Sequence, residues 1–143
     1  MGIITDFVIA LDSDAEAIGQ SASPADQWPT VQAKGVETVK LASLYCVAIG
    51  TPYGKQIQRS FSLVGGDKDE GPWVFQFPSE VLHAIASIDD ARLPSVAKEW
   101  AATEELRRDG WAEGNATSFI VQLRAHAQQA IAGGLSMFLR LSL

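Results

Sequence analysis

Residues 35–50, GVETVKLASLYCVAIG, decide how this chain is read. The stretch begins and ends in glycine, and Gly50 suits the position just past a helix end. At about 100° per residue, Val36, Val39, Leu41, Leu44, Tyr45, Val47 and Ile49 point in almost every direction around a helix. A helix that is apolar all round is buried centrally or lies in a subunit interface. The run is too short to cross a bilayer and carries Glu37 and Lys40, so no membrane span is expected. The rest of the chain must wrap this helix, or a second copy must, and a homodimer is one expectation.

Outward from that helix, both ends of the chain read as strands. Residues 2–10, GIITDFVIA, are β-branched and apolar on both faces, as in a strand covered on both sides. LSMFLRLSL, after the helix stop Gly133-Gly134, is a closing strand, and the two are expected to be neighbours. Asp6 then sits inside the first strand and Arg140 inside the last, where paired strands let the two charges meet. Between them QIQRSFSLV and PWVFQF alternate like the arms of a hairpin around GGDKDEG, with a helical reading of 53–64 as the alternative. SASPADQWPT, with Pro24 and Pro29, reads as a loop. Ser79 caps a helix over 79–88, Asp89-Asp90 cap one running from about 93 to 108 and stopped by Gly110, and Asn115 opens the last, to about Ala132.

These elements imply an α+β fold: a small mixed or antiparallel sheet of about three to four strands packed against several helices, in one globular domain over residues 1–143. Net charge is −6, from 17 acidic and 11 basic residues, and the basic residues are scattered. That excludes the basic face a nucleic-acid binder needs. The single cysteine, Cys46, and the absence of a basic, apolar leader at the N-terminus point to a reducing, cytoplasmic setting. The opening MGIITDF and the closing order of helix, glycine and apolar strand resemble small bacterial α/β proteins at the two ends; the resemblance brings no functional residue.

The stretch with the most chemistry is KEWAATEELRRDGW, residues 98–111. Three carboxylates between two indoles suggest a sugar-cleaving or sugar-binding site. Helical geometry thins the cluster. Leu93, Val96, Ala97 and Trp100 form one stripe, and only Glu104, about 40° from Trp100, continues it; Glu99 and Glu105 diverge by about 100° and 140°. Two carboxyl groups about 5–10 Å apart, as glycoside hydrolysis requires, do not follow from this spacing. Glu104 with Trp100, Arg107 and Trp111 remains the candidate pocket, against a plainer reading in which Glu104 pairs with Arg107 or Arg108 and Trp111 covers the helix end.

Trp28 and Tyr53, aromatics in loops, are the candidates for surface recognition. His126 borders the apolar stripe of the last helix, His83 points to solvent, and the two make no metal motif. Cys46 lies in the apolar helix with no nearby positive charge to activate it. No catalytic residue, metal or cofactor is expected. The sequence favours a non-enzymatic protein-interaction or regulatory module, with a small-molecule binder or enzyme, its pocket at the end of the 93–108 helix, as the alternative.

Overall fold

The computed structural model describes residues 2–143. Strand β1 (Ile4–Ala10) and strand β5 (Ser136–Ser142) pair antiparallel along their whole length, Ile4 opposite Ser142 and Ala10 opposite Ser136. With β2 (Thr30–Lys34), β3 (Ser62–Gly66) and β4 (Trp73–Gln76) they form a five-stranded antiparallel sheet in the order β2-β1-β5-β4-β3. The fold class is α+β and the terminal strands are adjacent, but the sheet has one strand more than the three to four expected. The extra strand is β2. It is short and follows a proline-rich loop, and only its Val31 and Ala33 pack toward the core, too little alternation to stand out.

The β3–β4 hairpin forms, but its first arm is shorter than QIQRSFSLV. Residues Lys55–Arg59 are a helix, α3, and pairing begins only at Ser62, with a register shift between Leu63 and Gly65. The alternative helical reading holds for the first half of that stretch, where Ile57 packs on the core from a helix rather than a strand.

The sheet alternation feeds two apolar layers. Phe7, Ile9, Met137 and Leu139 face the larger one, which holds the helices α2 (Thr38–Ile49), α4 (Ser79–Ala86), α5 (Leu93–Ala101) and α7 (Glu113–Ala132). Val8, Ala10, Val74 and Phe138 face a smaller one under α1 (Ala15–Gln20). The all-round apolar α2 is wrapped within one chain by α3, α4, α5 and α6 (Glu104–Arg108). Gly50 ends it at φ 72°. Helix α1 approaches β3 so closely that a Cβ on Gly19 would stand 2.7 Å from the Gly66 nitrogen.

Two expected caps move. Pro78, not Ser79, precedes α4, and Ser79 makes no capping bond. Asn115 sits at the third position of α7, where its Oδ1 accepts the Ala112 N–H at 2.9 Å. That carboxamide satisfies the first turn from inside rather than from the cap.

Asp6 and Arg140 meet as the pairing of the terminal strands requires. They are register partners, both buried, with Nη1 3.4 Å from Oδ2. Arg140 also donates to the Ile18 carbonyl at 3.1 Å and the Ser21 carbonyl at 2.7 Å, and Gln32 donates to Asp6 at 3.0 Å. The pair therefore ties the sheet to the end of α1 and to the edge strand β2.

Candidate functional site

The helix expected over 93–108 breaks. It ends at Ala101, and α6 starts at Glu104 after the cap Thr103. The Thr103 hydroxyl folds back onto the Trp100 carbonyl at 2.6 Å. The break takes Glu104 off the line of Trp100. Glu104 is exposed and accepts from Arg108 at 3.1 Å, one helical turn on. Arg107 is exposed beside them, and Glu104, Arg107 and Arg108 border one surface hollow.

The two indoles go elsewhere. Trp100 is fully buried, and its Nε1 donates to the Lys40 carbonyl at 3.1 Å and the Ser43 hydroxyl at 3.0 Å. Such partners allow an indole to be buried completely. Trp111 follows the left-handed Gly110, donates its N–H to the Leu106 carbonyl at 2.9 Å, and folds back over the helix end. Its ring lies 5.6 Å from that of Trp100 and 5.7 Å from that of Phe119, edge to face. The four candidate residues thus divide: Glu104 and Arg107 at the surface, Trp100 in the core, and Trp111 half-buried between.

A cleft does open at the end of this helical segment, with a different lining. It encloses about 590 Å³ among Lys34, Glu37, Lys40, Glu105, Arg108 and Asp109, with Trp111 at its side. A second cleft of about 500 Å³ shares Lys34, Asp109 and Trp111 with it and continues along α7 past Asn115, Ser118, Phe119 and Gln122. Together they form one groove running from α2 to α7 under the end of β2. Its buried charged member is Lys40, whose ammonium donates to the Gly35 carbonyl and pairs with the Asp109 carboxylate. The hydrogen bond and charge of Lys40 hold the Asp109 carboxyl below the usual carboxylate range. Glu37 caps α2 by accepting the Lys40 N–H at 3.2 Å. In the sequence Lys40 stands out only as a charge that bars a membrane span. A lysine inside an all-apolar helix must reach an acceptor, and that was the available signal.

Tyr53 is exposed in the loop after α2, its hydroxyl donating to the Gln58 side chain at 3.2 Å; partial burial first, then Glu105, raises its phenol above the ordinary value. Trp28 is half-buried and packs on the smaller core layer, on the other face of the sheet from the groove. The two loop aromatics therefore do not share a surface. His126 is buried, with Nε2 2.8 Å from the Phe7 carbonyl; burial lowers its pKa, and that hydrogen bond opposes the shift. His83 is exposed, and Cys46 is buried. Among the described residues no group of His, Cys, Asp and Glu side chains is placed to hold a metal, and no helix is long and apolar enough to cross a membrane.

The fold and groove define a small α+β protein built on an open antiparallel sheet. No family model, curated protein or solved structure matches the chain.

Proposed function

We propose that this chain is a cytoplasmic, non-enzymatic recognition module that binds a partner protein through the groove between α2, α6 and α7. The observation that carries the reading is the groove itself. Two adjoining clefts share Lys34, Asp109 and Trp111, and their walls combine an indole with charges of both signs and with side-chain amides. Aromatic and arginine-rich surfaces with polar rims suit protein recognition. A photoreactive residue placed at Lys34 should capture one defined polypeptide in cells, while the same residue at Lys98, exposed on α5, should not. Equal capture at both positions, or none at Lys34, refutes the reading.

The second reading, a small-molecule site, is favoured by the buried Lys40 at the inner end of the first cleft. It requires that a small polar compound raise the melting temperature of the wild-type protein and not of Lys40→Met, compared each against its own unliganded state.

A further inference from the structure

We infer that the free edge of β2, where its Lys34 end meets the second cleft, is a β-augmentation site: an extended, acidic segment of a partner protein adds as a sixth strand beside α7. The inference rests on the recognition reading above and deepens it.

The edge is open in a defined way. Strand β2 ends the sheet, paired on one side only, with β1. Gly35 donates to the Ile3 carbonyl at 2.8 Å and Ile9 to the Pro29 carbonyl at 3.0 Å, which sets the phase of the ladder. Antiparallel pairs alternate between bonded and non-bonded, so Val31 and Ala33 bond to β1 while the N–H and C=O groups of Thr30, Gln32 and Lys34 point away from the sheet. Strand edges are usually blunted by charge, proline or a bulge. Strand β2 carries no proline and one charge, Lys34, at its end. The opposite edge, β3, is interrupted by its register shift and by glycines at 65 and 66.

The side-chain pockets that give such a mode its specificity lie alongside. Helix α7 packs against β2, and the second cleft presents Asn115, Ser118 and Gln122 at a spacing of three and four residues, one face of that helix. Phe119 and the exposed part of Trp111 form an apolar wall there. Extended peptides are read in this way, by main-chain bonds to an edge strand and pockets for alternate side chains.

Charge selects the occupant. The charged groups lining the second cleft are Lys34 and Asp109. Asp109 is neutralised by Lys40, and Lys34 makes no ion pair among the described residues. A carboxylate in the added segment, opposite Lys34, completes the balance, with an apolar side chain on the Trp111–Phe119 wall.

The test selects binders to the full chain from a displayed library of random linear peptides about twelve residues long, then titrates a winning synthetic peptide into isotope-labelled protein. The enriched sequences should share a carboxylate with an alternating apolar residue, and binding should protect the Gln32 and Lys34 amides from exchange. Gln32→Ala, which keeps the backbone donor, should bind nearly as wild type, whereas Gln32→Pro, which removes it, should weaken binding about tenfold. Lys34→Glu should weaken it about fivefold and recover when the peptide carboxylate is exchanged for lysine. No enriched peptide, peptides that perturb another surface, or protection of Gln32 that rises with protein concentration alone would each overturn the inference. Capture of a partner by the photoreactive residue without protection of β2 would overturn this mode and leave the recognition reading standing.

Discussion

Replacing Arg140 by methionine tests the junction that closes the sheet. The guanidinium is buried and serves three acceptors: Asp6 Oδ2 at 3.4 Å, the Ile18 carbonyl at 3.1 Å and the Ser21 carbonyl at 2.7 Å. Methionine fills much of the same volume but donates nothing, so Asp6 keeps only the Gln32 amide, at 3.0 Å, and stays 5% exposed. Breaking one side of a buried pair costs about 3–5 kcal/mol, because the remaining charge is left uncompensated. For a domain near this size that lowers the melting temperature by on the order of 10–15 °C. The pair is worth less than that loss suggests. Asp6→Leu combined with Arg140→Met removes both charges, and the double variant should be at least about 2 kcal/mol more stable than the sum of the single losses requires. Denaturant unfolding followed by tryptophan fluorescence and by circular dichroism gives all four corners of the cycle. An Arg140→Met cost below about 1 kcal/mol, or strict additivity, would refute the view that these residues form one buried unit.

Further outcomes follow from other contacts. Trp100→Phe should cost about 2–3 kcal/mol in chemical denaturation, since it removes the donor to Lys40 and Ser43 and leaves part of the ring volume empty. Gly19→Ala should destabilise by more than about 2 kcal/mol, because its Cβ would stand 2.7 Å from the backbone of β3; a neutral result would mean α1 does not rest on that strand. Glu104→Ala should change stability by no more than about 0.5 kcal/mol, as both it and its partner Arg108 are exposed. The folded-state pKa of His126 lies below its ordinary 6.5, so folding favours the neutral ring. That contribution is complete above about pH 6.5 and is lost as pH falls from there toward the folded-state pKa. His126→Gln should flatten this part of the stability profile measured by thermal melts.

The parts of the fold that were legible in the sequence are those set by long, strongly patterned segments. The α2 run is legible because its apolar residues admit no exposed face, and the terminal strands because GIITDFVIA and SMFLRLS are dominated by apolar and β-branched residues, each interrupted by a single charge. The Asp6–Arg140 contact followed from one premise, that these strands pair. What escaped depended on short-range competition. Strand β2 offers two inward apolar residues after a proline-rich loop. The break between α5 and α6 contains neither glycine nor proline; its signal was Thr103 followed by Glu104 and Glu105, a helix start that the continuous apolar stripe obscured. An unbroken helix would carry Glu104 inward on the line of Trp100; the break at Ala102 and Thr103 leaves it at the surface. The groove was legible only in its general place, at the end of this segment. Its lining comes from residues distant in sequence, Lys34, Lys40 and Asp109, which no local spacing connects.

Amide hydrogen exchange along β2 measures the docking edge most directly. In the free protein, Val31 and Ala33 should be protected and Gln32 and Lys34 should exchange freely, in strict alternation. On binding an acidic extended peptide, Gln32 and Lys34 should become protected while the β1 ladder is unchanged. Protection of Gln32 and Lys34 already in the free monomer, or no change in them when a peptide occupies the groove, would contradict recognition by strand addition at β2.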